Sequence, residues 1–134
     1  MQQLIIDRSK WRTGRVYLDN GSLKKYGSTL LLNRQGYMCC LGFYCEQLVG
    51  IPKNGLLGVP SPEELNIDDI HNIELLVTKI DDYEDGYTLV PTGFTTDAIE
   101  INDSISLSSK DREDQIVNHF KKIDVEVIFE KEYK

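Results

Sequence analysis

Cys39-Cys40-Leu41-Gly42-Phe43-Tyr44-Cys45-Glu46-Gln47-Leu48-Val49-Gly50 is the most distinctive stretch of this chain. Leu41, then Tyr44 or Cys45, then Leu48 recur at i, i+3 or i+4, and i+7, the spacing that gathers apolar side chains on one helix face. Gly50 is placed as a C-cap and Pro52 prevents continuation, so the stretch predicts a short buried helix. Gly42 inside it costs up to about 1 kcal/mol relative to alanine unless another helix or a strand backbone needs to come close. Close packing is the expected reason.

Working upstream, Thr29 to Leu32 against Tyr37 to Cys39 predicts a tight hairpin, with Gly36 supplying the positive φ. Arg15-Val16-Tyr17-Leu18 alternates as a strand and stops at Asp19-Asn20-Gly21-Ser22, a turn signal. Leu4-Ile5-Ile6 is a short apolar run fit to begin a strand or to pack beneath the N-terminal basic segment. Downstream, Ile51 to Pro60 reads as a loop, and Ser61-Pro62-Glu63-Glu64 as a capping box opening a short helix. Glu63 to Asp85 carries nine acids and one lysine and predicts an acidic-faced helix or strand, although period alone does not assign Ile73 to Ile80. Asp85-Gly86 is a turn before a strand from Tyr87 to Val90. Ala98 to Asn102 alternates and predicts a half-buried strand. Ser108 with Asp111 marks a helix start, Ile116, Val117, Phe120 and Ile123 give its stripe, and Val125 to Glu130 alternates as a closing strand. Strands and helices mix without a βαβ rhythm. The expected class is therefore α+β: one compact domain over residues 1–134, a small antiparallel or mixed sheet packed against two to three helices.

Composition agrees with this and narrows the setting. The 134 residues suffice for one domain, and 40% hydrophobic with 28% charged residues is neither disordered nor transmembrane. Asp7 and Arg8 interrupt the first apolar run, which argues against a secretory signal and for the cytoplasm. Three cysteines, two of them adjacent, form no closed disulfide framework and suit a reducing compartment.

The net charge of −7 is unevenly spread: residues 1–59 carry eight Lys or Arg against three acids, +5, and the rest carries −12. Two solvated faces that differ by chance would look like this, and so would an anion-binding front half built on Lys10, Trp11, Arg12, Arg15, Lys24, Lys25 and Arg34. The sequence pI near 4.8 disfavours duplex DNA as a partner. An acidic protein can instead occupy the nucleic-acid groove of a basic host protein.

Trp11 between Lys10 and Arg12 is either a core anchor with its indole N–H bonded, or a platform for a base or guanidinium. Cys39 sits where a strand hands over to a helix, a position that favours a thiolate, as in papain-type nucleophiles. Its partner would have to be His71 or His119, and neither lies in a recognisable catalytic setting, so a packed, inert thiol is the main reading. No zinc site is expected, because Cys39, Cys40 and Cys45 lack a Cys-x-x-Cys pair, and no cofactor motif occurs. Asn102-Asp103-Ser104 ordinarily makes an Asx turn; functionally, it would bind a ligand or orient a thiol beside the cysteine helix.

Lys10-Trp11-Arg12-x-Gly14, Leu30-Leu31-Leu32-Asn33-x-x-Gly36-Tyr37-Met38-Cys39-Cys40-Leu41-Gly42-Phe43-x-Cys45 and Ile101-Asn102-Asp103-Ser104 together form a familiar pattern. It resembles a group of small bacteriophage and prophage proteins that share a Gly-x-x-Cys-Cys-Leu-Gly segment and a downstream Asn-Asp motif. The resemblance covers the first 50 residues and about 25 around Asn102. It implies phage origin and a host-cytoplasm setting, and carries no catalytic residue over.

Two function classes follow. The first is an accessory protein for counter-defence or host take-over, not an enzyme, which binds a host protein or a small anionic, nucleotide-like ligand through Lys10, Trp11, Arg12, Arg15, Lys24, Lys25, Arg34, Asn102 and Asp103, as a monomer or homo-oligomer. The alternative is a thiol-dependent hydrolase or transferase using Cys39 with Asn102, Asp103 or His119 in support.

Overall fold

The structure is a computed structural model that describes residues 1–13, 16–17, 23–24, 30–65, 73–82, 86–104 and 106–133. Its elements run β1 (Gln2–Asp7), β2 (Val16–Tyr17), β3 (Leu23–Lys24), α1 (Cys40–Tyr44), α2 (Lys53–Leu56), β4 (Val77–Asp82), β5 (Gly86–Pro91), α3 (Gly93–Asp103), α4 (Ser109–Lys121) and β6 (Val125–Glu130). This is the α+β class that the mixed pattern predicts. The described strands are distributed over three separate pairs: β1 with β6 in parallel, β2 with β3 and β4 with β5 antiparallel. The first pair joins the two ends of the chain, with Leu4 opposite Val127 and Ile6 opposite Phe129. Leu4, Ile6, Val125 and Val127 point inward and are buried, while Gln3, Ile5 and Glu126 point out, the alternation of a half-buried pair.

α1 is buried on all sides, and Leu41 and Cys40 are fully enclosed. The helix widens into one π-helical turn over Cys45–Val49 and ends on Gly50 at φ 90°, the left-handed cap the sequence calls for. Gly42 is explained by contact: a Cβ there would stand 2.0 Å from the Leu31 carbonyl oxygen. Phe120 and Ile116 of α4 complete the core, with Tyr44 and Phe94 rings 5.8 and 5.3 Å from Phe120. Ser108 caps α4 by accepting from the Asp111 N–H at 3.1 Å, as its position predicts.

Several expectations change. Ala98 to Asn102 is not a strand but the C-terminal half of α3. Thr92 caps that helix through the Thr95 N–H, and the buried residues Thr95, Ala98 and Asn102 follow helical spacing, while Ile99 and Ile101 lie on either side of that face and mimic alternation. The Thr29–Cys39 hairpin keeps its tight turn and two backbone bonds between its arms, Asn33 N–H to the Tyr37 carbonyl at 2.9 Å and Cys39 N–H to the Leu30 carbonyl at 3.3 Å, but forms no continuous ladder. Asn33 Oδ1 accepts from the Gln35 and Tyr37 N–H groups and Gly36 adopts φ 87°, but Leu31 and Leu32 turn to Val59 and Gly58, and Met38 bonds to Lys10 and Arg12. The 51–60 loop contains α2. At Ser61 the capping box is absent: Pro62–Glu64 is one 3-10 turn, and the Ser61 hydroxyl bonds the Glu63 side chain. Val77 to Ile80 belong to β4. Leu18 to Ser22, Thr29, Ile67, Ile70, His71 and Asp85 lie outside the described residues.

Candidate functional site

Asn102 is the meeting point of the three separated motifs. It is 1% exposed, and its Oδ1 accepts both the Trp11 indole N–H at 2.7 Å and the Cys40 backbone N–H at 3.0 Å. Its Nδ2 donates to the Arg12 carbonyl and to Asp103 Oδ1, each at 2.9 Å. Cys39, the N-cap of α1, supplies no side-chain cap of its own, so an amide from α3 satisfies one of the helix's first N–H groups in its place. Trp11 is 3% exposed, its ring 5.2 Å from Phe129. Its position is that of a core anchor, with both faces of its chemistry used inside the fold.

The thiols are enclosed. Cys39, Cys40 and Cys45 are 4%, 0% and 0% exposed, and no disulfide joins them. Burial pushes the Cys40 and Cys45 thiols well above the ordinary cysteine range, with the neighbouring Cys39 adding to it. The hollow between Cys39, Cys40, Leu41, Ile99, Asn102 and Asp103 has no room for a water molecule. α1 spans five residues. His119 is committed elsewhere: it is 3% exposed, stacks on Phe94 at 4.3 Å and bonds the Phe94 carbonyl through Nε2 at 2.8 Å. Among the described residues no three His, Cys, Asp or Glu side chains are grouped to hold a metal ion, and no helix is long and apolar enough to cross a membrane.

The basic residues are differently placed. Lys10 is exposed, and its Nζ lies 5.8 Å from the Tyr37 ring centre; the Arg12 guanidinium stacks on the same ring at 3.4 Å. Arg34 is exposed on the Asn33–Gly36 turn. Lys24 is in β3, and Arg15 and Lys25 lie outside the described residues. Beside the Tyr37 turn opens a cleft of about 350 Å³, lined by Lys10, Lys53, Met38, Phe43, Gln47, Asp7 and Glu46 among others. Its acids are engaged: Asp7 pairs with Lys131 at 3.1 Å and with the Ser9 hydroxyl, and Glu46 with Lys53 at 3.8 Å. Lys10 enters no ion pair among the described residues.

Sequence reasoning missed Met38, Phe43, Gln47 and Lys53 as cleft residues. Gln47 carried a usable signal, as a polar residue beside Glu46 in a mostly apolar stretch before Gly50; that Lys53 lines the same cleft as Lys10 depends on the turn at Gly50 and had none. Compared with protein-family models, with curated proteins and with solved structures, the chain matches none.

Proposed function

We propose that the protein acts by binding, as a small accessory protein of phage type in the host cytoplasm, and that its ligand is a host protein or a nucleotide-sized anion received by the basic N-terminal half. The observation that carries this is the Lys10–Lys53 cleft beside the Arg12–Tyr37 stack. Its volume, about 350 Å³, suits a small ligand; the Lys10 ammonium meets an anion, Lys53, paired with Glu46 at 3.8 Å, lines the same wall, and Met38 and Phe43 supply apolar surface. The buried thiols withdraw support from nucleophilic chemistry at Cys39. Asn102, Asp103 and Trp11 leave the list of ligand-binding side chains in this reading and become its frame, while Lys10, Arg12 and Arg34 remain.

Native mass spectrometry on protein isolated from bacterial cells tests this, comparing the unaltered chain with Lys10→Glu/Lys53→Glu. The expected result is a retained anion or host protein on the unaltered chain and at least tenfold less on the variant, with an unchanged melting temperature, since both lysines are exposed. Equal retention by the two, or a bare mass for both, contradicts the reading.

A further inference from the structure

We propose that the cleft beside β1 captures the C-terminal carboxylate of a partner protein whose extended chain ends in an apolar residue. The proposal rests on the binding reading above and selects, between its two kinds of ligand, the host protein.

The groups that the cleft leaves open beside β1 are donors. The Arg8 N–H donates to the Glu130 carbonyl at 2.9 Å, which sets the phase of the parallel ladder. The backbone groups of Leu4, Ile6 and Arg8 therefore face β6, and those of Gln3, Ile5 and Asp7 face away. Gln47, which lines the cleft, reaches this outward edge at Ile5: its Oε1 accepts the Ile5 N–H at 2.9 Å and its Nε2 donates to the Ile5 carbonyl at 2.7 Å. The cleft thus lies on the side to which the Asp7 N–H points, and among the described residues nothing bonds that N–H. The acceptors beside it are engaged: the Asp7 carbonyl by the Lys10 N–H at 2.9 Å, the Asp7 carboxylate by Ser9 and Lys131, and Glu46 by Lys53. One backbone N–H and, across the Asp7–Lys10 turn, the Lys10 ammonium remain, and a carboxylate is the acceptor-only group that takes both.

Charge and the path of the chain narrow the ligand. Lys53 pairs with Glu46 at 3.8 Å and Lys131 with Asp7 at 3.1 Å, so the uncompensated charge among these side chains is that of Lys10. A carboxylate balances it, whereas a phosphate monoester brings about −1.5 to −2 at pH 7 next to Asp7 and Glu46. Gln47 also blocks the strand path: the outward groups of Gln3 are open, but they lie beyond Gln47 and outside the cleft. A chain that reaches the Asp7 N–H has no ladder to continue along, so its end fits there and its interior does not. Ile5, 38% exposed, with Met38 and Phe43 at the cleft wall, gives the last side chain an apolar neighbour.

The probe is a pool of hexapeptides randomised over the last three positions and ending in a carboxylate, compared with an otherwise identical pool ending in an amide. Retention on the folded protein is read by native mass spectrometry, and the Asp7 amide by two-dimensional NMR. The expected result is retention of acid peptides with an apolar last residue, at least tenfold less of the amide pool, and a shift of the Asp7 amide resonance with the acid pool alone. Lys10→Gln is expected to retain at least tenfold less of the acid pool at an unchanged melting temperature. Equal retention of both pools, no retention of the acid pool, or an unmoved Asp7 resonance overturns the proposal. Adenosine monophosphate, run in parallel, separates the two readings: its retention by the unaltered chain but not by Lys10→Glu/Lys53→Glu, with neither pool retained, overturns the peptide assignment and leaves the cleft reading in place. Acid peptides held equally by that double variant overturn both.

Discussion

The indole N–H of Trp11 donates to Oδ1 of Asn102 at 2.7 Å across 91 positions of sequence, and the same oxygen holds the first N–H of the cysteine helix. One buried carboxamide thus ties the N-terminal basic segment, α1 and α3 together. A buried amide with all its partners is stabilising, whereas each partner left unsatisfied costs about 1–3 kcal/mol.

Asn102→Ala is expected to destabilise the fold by about 3 kcal/mol, because it strands the Trp11 and Cys40 donors and the Arg12 carbonyl at once. Asn102→Asp keeps the acceptor but loses donation to Arg12 and buries a charge, so it is expected to be no better. Denaturant titration monitored by Trp11, the sole tryptophan, measures both. A loss below about 0.5 kcal/mol, the range of ordinary surface substitutions, counts against the keystone role.

Two glycines give opposite expectations. Gly42→Ala drives a methyl to 2.0 Å from the Leu31 carbonyl oxygen, a backbone atom that has no rotamer to escape into, and should cost about 3 kcal/mol by overpacking. Gly93→Ala meets nothing within 4 Å, at the start of α3, and is expected to leave stability unchanged or raise it by about 0.5 kcal/mol. Thermal melts of the two variants side by side check the contrast.

Acid should weaken the clasp between the chain's two ends. Arg8 grips Glu113 through Nε and Nη2 at 3.0 and 2.6 Å, and the Tyr133 hydroxyl donates to the same carboxylate. Burial raises the Glu113 carboxyl, but the Arg8 and Tyr133 bonds outweigh it and hold it below the ordinary glutamate value of 4.5. The unfolded chain then binds the proton more readily, so this contribution is complete above pH 4.5 and is lost as pH falls through the lower, folded value. Glu113→Gln should flatten the stability curve below pH 4.5; Asp7, lowered by the Ser9 hydroxyl and by Lys131, keeps part of the slope. An unchanged slope in the variant contradicts the assignment.

Much of the fold was legible in the sequence because local signals and tertiary demands agreed: Gly50 and Pro52 ended the cysteine helix, Ser108 opened α4, and alternation marked β6. Ala98 to Asn102 misled because isoleucines at 99 and 101 imitate a strand, whereas the deciding positions, Thr92 and Thr95, lie outside that window. The role of Asn102 was not legible. Its partners are 62 and 91 positions away, and a buried amide has the same letters as an Asx turn. The cleft shared this difficulty, since Lys10 and Lys53 come to line one cleft only through the turn at Gly50 and the packing of α1 against β1.

The most direct test of whether the Cys-Cys-Leu-Gly signature is architecture or chemistry is alkylation of the native protein with iodoacetamide near neutral pH, read by mass spectrometry. Burial of all three thiols leads us to expect no adduct on Cys39, Cys40 or Cys45 until denaturant unfolds the chain, then modification of all three together. Rapid, selective modification of Cys39 in the folded state would contradict this and make the thiol enzyme the leading reading.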